Sequence, residues 1–319
     1  MTSHLPLAGR VPLAATGIEI SHLCLGGNVF GWTADRDASF AVLDAYASAG
    51  GNFIDTADSY SHWVAGNSGG ESETIIGEWM AARGNRDEMI IATKVGKLPG
   101  FDSLAPGTIA AALDDSLRRL QTDRIDLYYA HRDDAAVPLD DTLWAFDTAV
   151  RAGKVRHIGA SNFSAERLAE ALKISRGTGL PGFVALQNHY NLMERGGYEG
   201  ATRDVVAENG MASLPFYGLA RGFLTGKYRA GTTVDSPRAE GVAPYLSPRG
   251  QRMLEVLEAV AERHDTSMAA VSLAWLLAQP TVTAPIASAR SVEQFTELLP
   301  MVAVKLGDAD LADLDAASA

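Results

Sequence analysis

Four ionisable side chains fall at the ends of consecutive strand-like segments of this 319-residue sequence. Asp55 ends the second apolar strand candidate, and Tyr60 follows five residues later. Lys94 comes just after the third candidate, and His131 comes just after the fourth. One lysine or histidine at a strand end is usually structural, but a carboxylate, a phenol, an ammonium and an imidazole on one rim can jointly move a proton. The sequence therefore predicts an acid–base site, provided that the fold brings these strand ends together.

The elements that must position these residues alternate between strands and helices. Strand character recurs in eight short runs: His22–Leu25, Asn52–Asp55, Met89–Thr93, Ile125–Tyr129, Val155–Ala160, Val184–Gln187, Met211–Pro215 and Val282–Ile286. Helical periodicity lies between them, in Ala38–Ser48, Ser72–Ala82, Thr108–Leu120, Leu139–Arg151, Ala165–Ser175 and Ser267–Ala278. This alternation predicts an α/β fold whose strands pair in parallel through right-handed crossovers.

The even spacing of the repeats favours a closed (β/α)8 barrel, in one domain over residues 1–319, over an open doubly wound sheet. Val11–Ile20 predicts a β-hairpin that caps one end of the barrel. The Gly- and Pro-rich stretch Arg229–Pro248 predicts a long loop after the seventh strand.

A formal dinucleotide fingerprint at Gly177–Gly182 follows a helix and precedes a strand, which reverses the order that a Rossmann domain needs.

Net charge, apolar runs and cysteine content exclude some partners and locations. The formal net charge of −12 leaves no basic face for nucleic-acid phosphates. The sequence has no apolar run of membrane-spanning length and no secretory signal. The single cysteine, Cys24, lies in an apolar run, which predicts a buried thiol in a reducing cytoplasm. These features predict a cytoplasmic protein. Because there is no HExxH motif or paired Cys/His spacing, we expect no metal site.

The motifs around the four ionisable residues resemble those of the aldo-keto reductase family. The similar segments occur in the order Leu25–Asn28, Asn52–Tyr60, Ile91–Lys94, Asp126–His131, Ile158–Phe163 and Gly222–Tyr228. The catalytic tetrad of the family falls on Asp55, Tyr60, Lys94 and His131, each with the family's residue type. The resemblance implies a (β/α)8 barrel that reduces an aldehyde or ketone with NAD(P)H.

The chemistry of the tetrad agrees with carbonyl reduction. Hydride arriving at a carbonyl carbon leaves an alkoxide, which needs a proton donor within hydrogen-bonding distance, and we expect Tyr60 to be that donor. A tyrosine pKa of about 10 makes the proton hard to release near neutrality, so the adjacent Lys94 is expected to lower that pKa. Asp55 is expected to hold Lys94 charged, and His131 to orient the carbonyl oxygen.

The resemblance also implies the cofactor contacts. Ser161, Asn162 and Gln187 match the residues that hold the nicotinamide carboxamide. Where the family usually has Tyr-Ser-Pro-Leu, this chain has Phe216-Tyr-Gly-Leu219. Phe216 can still stack on the nicotinamide, whereas the next two residues depart from the pattern. The residues expected to line the dinucleotide site further include Gly27, Asn28, Asp55, Tyr217, Gly218, Leu219, Arg221, Gly222 and Lys227.

The adenosine end is expected at Ser288, Arg290 and Gln294. Gln294 stands where some members have arginine, and Leu298 stands where they have an adenine-contacting asparagine. Arg290 and Lys227 favour NADP(H), because a 2′-phosphate needs a cationic partner, and NAD(H) stays open.

The substrate is expected to be a small carbonyl or alcohol compound. The expected walls of its pocket are Phe30, Trp32, Trp63 and Arg132, with the Tyr190 region. This mixture of aromatic and polar residues suits sugars, glycosides or bulky ketones. By analogy with the family, the loop Arg229–Pro248 can fold over the dinucleotide and offer Arg229 and Arg238 to its phosphates. A passive insertion that never touches the cofactor is the alternative.

Two other hypotheses about the function stay open. The first is an NADP-binding regulatory subunit that resembles the potassium-channel β subunits of the family. The short stretch before the hairpin favours the plain enzyme instead. The second is an unrelated barrel lyase or isomerase, which would not bind NADPH tightly. No oligomeric state follows from the sequence.

Overall fold

The computed structural model describes residues 6–229 and 239–319. Its first element is an antiparallel hairpin of β1 (Arg10–Pro12) and β2 (Glu19–Ser21). Apolar side chains of the hairpin pack against the inward-facing residues of the barrel strands, because Leu13 and Ile20 are buried in one cluster with Phe53 and Leu127. The hairpin therefore closes one end of the barrel, as the sequence predicted.

Eight parallel strands follow the hairpin, and they form one curled sheet in the order β10-β3-β4-β5-β6-β7-β8-β9. Their bounds are β3 Cys24–Gly26, β4 Phe53–Asp55, β5 Ile90–Val95, β6 Ile125–Ala130, β7 Val155–Ser161, β8 Phe183–Gln187, β9 Ala212–Ser213 and β10 Ile286–Ala287. Backbone bonds join the two outer strands: the Thr283 amide donates to the Ser213 carbonyl at 2.9 Å, and the Ile286 amide donates to the Pro215 carbonyl at 2.8 Å. These bonds close the (β/α)8 barrel.

Helices surround the sheet. Their bounds are α1 Arg36–Ser48, α2 Glu71–Arg83, α3 Pro106–Leu120, α4 Leu139–Arg151, α5 Ala165–Thr178, α6 Ala201–Glu208, α7 Ala239–Val242, α8 Pro248–Arg263, α9 Met268–Leu277, α10 Val292–Thr296 and α11 Asp308–Ser318. Five of the described helices begin at a side-chain cap, in which Asp35, Ser164, Ser247, Ser267 or Ser291 accepts an amide of the first turn. No described helix is long and apolar enough to cross a membrane.

The core has two layers because successive side chains of a strand point to opposite faces. Tyr128 of β6 points outward, and its ring lies 5.6 Å from that of Phe146 on α4. Tyr129, its neighbour, belongs to the cluster inside the barrel. This alternation fills the barrel and leaves the carboxyl ends of the strands to line a cavity.

The structure corrects some predicted boundaries. The seventh and eighth strands, predicted at Met211–Pro215 and Val282–Ile286, are the two-residue elements β9 and β10. Pro215 and Pro285 have no amide hydrogen for the ladder, and each contributes a carbonyl acceptor instead. Of the predicted loop Arg229–Pro248, residues 230–238 lie outside the described residues. Two helical turns, α7 and the 3-10 turn Ala243–Tyr245, fill most of the remainder.

Candidate active site

The strand ends bring the four ionisable residues to one rim of the barrel. Asp55 is the last residue of β4, Lys94 lies in β5, and His131 directly follows β6. Tyr60 stands on the irregular turn after β4. Lys94 and Asp55 are buried, whereas Tyr60 is partly exposed and lines the cavity above them. The arrangement places a hydroxyl at the cavity wall and a charged pair beneath it.

Lys94 is the centre of this group. Its Nζ donates to Asp55 Oδ2 at 2.7 Å, to the Thr56 carbonyl at 2.7 Å and to Tyr60 Oη at 2.8 Å. The Tyr60 hydroxyl donates in turn to Asp55 Oδ2 at 3.2 Å. Three acceptors match the three ammonium protons, so a fully buried lysine keeps all its hydrogen bonds. The sequence did not indicate that the Thr56 carbonyl would supply one of them.

Burial is the main influence on the pKa values of this group. Burial raises the pKa of Tyr60 well above its usual value, and the nearby Asp55 carboxylate raises it further. Burial lowers the pKa of Lys94, and the Asp55 carboxylate opposes that shift. The expected lowering of the Tyr60 pKa by Lys94 is therefore outweighed, and Tyr60 is held as a neutral phenol that has a proton to give.

His131 stands beside Tyr60, with 6.1 Å between the ring centroids. Burial lowers the pKa of His131 well below its usual value, and the charges of Lys94, Lys97 and Arg132 lower it further. The imidazole is therefore neutral around neutral pH and can donate one hydrogen bond. Its Nδ1 lies 3.5 Å from the Ser59 hydroxyl.

A cavity of about 480 Å³ opens over this rim. Most residues that the sequence assigned to the cofactor line it: Asn28, Asp55, Ser161, Asn162, Gln187, Phe216, Tyr217, Gly218, Leu219, Arg221, Gly222, Lys227, Ser288 and Gln294. Gly27 and Arg290 are not in the lining. Gly27 packs against β4, where its amide donates to the Asp55 carbonyl at 2.7 Å, and Arg290 is exposed beside the cavity.

Polar contacts order the cavity wall at Gln187 and Asn162, where the sequence predicts the nicotinamide. Gln187 donates from Nε2 to Asp55 Oδ1 at 2.7 Å, which holds the carboxylate through the oxygen that Lys94 does not use. Asn162 donates to the His131 carbonyl and to Ser161 Oγ, both at 2.9 Å. The sequence predicted only a cofactor contact for Gln187. In the structure Gln187 also holds Asp55, and so it joins the predicted cofactor wall to the group around Lys94.

The segment after β9 follows an unusual backbone path. Tyr217, Ala220 and Arg221 have φ values of 54°, 46° and 60°, a left-handed region that disfavours residues with a Cβ. Gly222 continues the path with φ 98°. The Arg221 guanidinium lies 4.3 Å from the Tyr217 ring centroid in a cation–π contact. The departure from the family's Tyr-Ser-Pro-Leu pattern therefore coincides with a strained, cavity-lining turn.

Aromatic side chains stand near the Tyr60 hydroxyl. Trp63 is 46% exposed and lines the cavity, and its ring meets that of Trp32 edge-on at 5.5 Å between centroids. Phe216 stacks against His189 with ring centroids 5.4 Å apart. Phe30 is fully buried and lies outside the lining.

Arg132 and Trp32 are also absent from the lining, although the sequence assigned both to the substrate pocket. Several residues that the sequence did not select do line it, and Ser59, His62 and Lys97 are among them. Their positions just after β4 and β5 were the available signal, because strand ends form the rim. Among the described residues, no group of three or more acidic, histidine or cysteine side chains could hold a metal ion.

The barrel and this rim define a class of protein, and the chain belongs to the aldo/keto reductase family, whose model matches residues 22–319. Among its relatives is an uncharacterised oxidoreductase, YrpG, of Bacillus subtilis, which is 35% identical over 92% of this chain and 91% of the relative. The norsolorinic acid reductase stcV of Emericella nidulans is 32% identical, over 96% and 80% respectively. The aryl-alcohol dehydrogenase GME11368 of Pestalotiopsis microspora is 30% identical, over 97% and 82%.

Proposed function

We propose that the protein is an NADPH-dependent carbonyl reductase in which Tyr60 gives a proton to the developing alkoxide. The observation that carries this proposal is the Tyr60 hydroxyl on the cavity wall, 2.8 Å from Lys94 Nζ and 3.2 Å from Asp55 Oδ2. A phenol that is held neutral, with a cation behind it, combines a transferable proton with a way to stabilise the phenolate that remains.

Reduced nicotinamide, when bound, supplies the hydride. The alkoxide oxygen that results takes the Tyr60 proton, and Lys94 then donates a charge-assisted hydrogen bond to the phenolate. Asp55 keeps Lys94 aimed at that oxygen, and Gln187 keeps Asp55 in place. Neutral His131 is available to donate to the carbonyl oxygen before the hydride arrives.

The lining fits a dinucleotide. Side-chain amides of Asn162 and Gln187 lie near the tetrad, Phe216 offers an aromatic face, and Arg221 and Lys227 provide positive charge for a pyrophosphate. We assign the cofactor as NADP(H) because Lys227 lines the cavity and Arg290 stands exposed beside it. Glu297 also lines the cavity, and its carboxylate would oppose a 2′-phosphate, so the assignment requires a direct comparison with NAD(H).

The preferred substrates are proposed to be aryl carbonyl compounds in addition to the sugar-like ones that the sequence suggested. Two relatives carry names that refer to an aryl alcohol and to norsolorinic acid. In this chain Trp63 and His62 offer ring edges and faces to the cavity next to Tyr60. The buried, unpaired Cys24 supports a cytoplasmic location.

The test is oxidation of NADPH and of NADH by the purified protein with a panel of benzaldehydes, aryl ketones, aliphatic aldehydes and aldoses. We expect turnover with aryl aldehydes and a higher kcat/KM with NADPH. Tight NADPH binding without turnover of any carbonyl compound would instead favour the regulatory-subunit interpretation. Absence of NADPH binding would contradict both.

A further inference from the structure

Lys97 is a cation on the substrate side of the cavity that the tetrad does not use. It follows the end of β5 by two residues and lines the cavity together with Ser59, Tyr60 and Trp63. Its side chain is exposed at the mouth, close enough to His131 for its charge to lower the pKa of that imidazole. Lys97 therefore stands within reach of a substrate whose carbonyl oxygen is at Tyr60.

The backbone that carries Lys97 is fixed by Arg132. The Arg132 guanidinium donates from Nε to the Gly96 carbonyl at 3.0 Å and from Nη2 to the Asp102 carbonyl at 3.1 Å. Between these anchors the chain makes a tight turn, in which the Phe101 amide donates to the Leu98 carbonyl at 2.8 Å. Two N–H donors of one rigid, planar guanidinium therefore hold the two ends of the turn, which reduces the freedom of the Lys97 backbone.

No acidic side chain neutralises Lys97 among the residues that the structure describes. No carboxylate there lies within 4.0 Å of its ammonium, and no hydrogen bond occupies it. Arg132 itself approaches the Asp102 carboxylate only at 4.0 Å. Partial burial lowers the pKa of Lys97, and the charges of Lys94 and Arg132 lower it further, so the surrounding potential is positive. The mouth of the cavity beside Tyr60 thus attracts an anion.

We propose that Lys97 binds a carboxylate of the substrate, so that the preferred substrates are aryl carbonyl compounds that carry an acid group. This inference deepens the proposed function and depends on it for turnover. The ring of such a substrate would lie beside Trp63, its carbonyl at Tyr60 and its carboxylate at Lys97. Arg132 is a positioning residue in this arrangement, because it acts on the substrate only through the loop.

The experiment compares 4-carboxybenzaldehyde with its uncharged methyl ester. The two aldehydes differ in intrinsic reactivity, but that difference cancels when the acid-to-ester ratio of kcat/KM is compared between variants. In Lys97→Met we expect this ratio to fall by about three- to tenfold, mainly because KM of the acid rises. A loss of this size lies between the strengths of exposed and partly desolvated charge pairs. Lys97→Glu should lower the ratio further, and added salt should lower it in the wild type.

Lys173→Met is the matched control. Lys173 is exposed on α5, away from the cavity, and its removal changes the net charge equally. The control should keep the wild-type ratio. An equal ratio in wild type, Lys97→Met and Lys97→Glu would overturn the proposal.

A binding measurement separates this proposal from the proposed function. The same acid and ester aldehydes are titrated into the NADP⁺-loaded protein, which has no hydride to give them, and binding is followed by tryptophan fluorescence. We expect the acid-to-ester ratio of affinities to fall in Lys97→Met by the same factor as the kinetic ratio. If no aldehyde is reduced but this ratio falls, the reductase assignment fails while the Lys97 site stands. If aldehydes are reduced but neither ratio falls, only the Lys97 site fails.

Discussion

Replacing Tyr60 by phenylalanine removes one hydroxyl from the centre of the site and leaves its ring. The hydroxyl accepts a hydrogen bond from Lys94 and donates one to Asp55. After its loss Lys94 still donates to Asp55 and to the Thr56 carbonyl, and Gln187 still donates to Asp55. Since no buried charge is left unpaired, we expect the free energy of unfolding to fall by only about 1 kcal/mol.

The effect on turnover is expected to be much larger. Without Tyr60 the alkoxide has no phenol to take a proton from, and general acid catalysis commonly contributes about 10²–10⁴-fold to a rate. A 100-fold loss of kcat corresponds to about 2.7 kcal/mol of transition-state stabilisation. Steady-state kinetics with an aryl aldehyde give kcat, fluorescence quenching gives the NADPH affinity, and urea unfolding gives stability. We expect the NADPH affinity of Tyr60→Phe to stay within about twofold of wild type.

Tyr128→Phe makes the same chemical change on the other face of the barrel wall. Tyr128 is fully buried against α4, and its hydroxyl has no hydrogen-bond partner among the described residues. The kcat of Tyr128→Phe should match wild type. That result would show that loss of a buried tyrosine hydroxyl near the rim is not enough to stop turnover. The assignment of Tyr60 as proton donor would be refuted if Tyr60→Phe retained more than about a tenth of wild-type kcat.

Three further predictions concern pH, cofactor choice and the loop after β9. The pKa of His131 is lower in the folded protein than in the unfolded chain, so the unfolded chain takes up the proton first as the pH falls. The contribution of neutral His131 to stability is therefore complete above about pH 6.5 and is lost as the pH falls below that value. Urea unfolding of His131→Gln should therefore show a smaller loss of stability between about pH 7.5 and 5 than wild type, and equal losses would contradict this sign. Arg290→Ala should weaken NADPH binding by about tenfold and NADH binding much less, in fluorescence titrations; equal losses would remove Arg290 from the 2′-phosphate site. Hydrogen exchange should show protection by NADPH across 229–248 as well as at Gln187, whereas protection at Gln187 alone would leave that loop as a passive insertion.

The sequence alone determined the fold class, and it predicted that the four ionisable residues Asp55, Tyr60, Lys94 and His131 would meet at one rim. Strand periodicity, helix signals and even spacing are local properties, and they were enough to predict the barrel, its hairpin cap and the rim on which strand ends meet. Asp55, Lys94 and His131 could be selected because strand ends in a barrel converge regardless of side-chain detail. The strands β9 and β10 are shorter than the predicted runs Met211–Pro215 and Val282–Ile286, because the prolines beside them limit backbone pairing to a few bonds that no periodicity reveals.

Only the tertiary structure decided how the side chains share their partners. Gln187 and Asp55 are 132 positions apart, and their contact depends on the closed barrel. Arg132 has the charge and the hydrogen-bond donors expected of a substrate-binding residue. Its guanidinium nevertheless donates to two backbone carbonyls of the neighbouring loop. Lys97, which that loop carries, reaches the cavity instead. Which polar group faces a cavity and which one supports it depends on a three-dimensional competition for hydrogen-bond partners, and residue type and spacing do not encode that outcome.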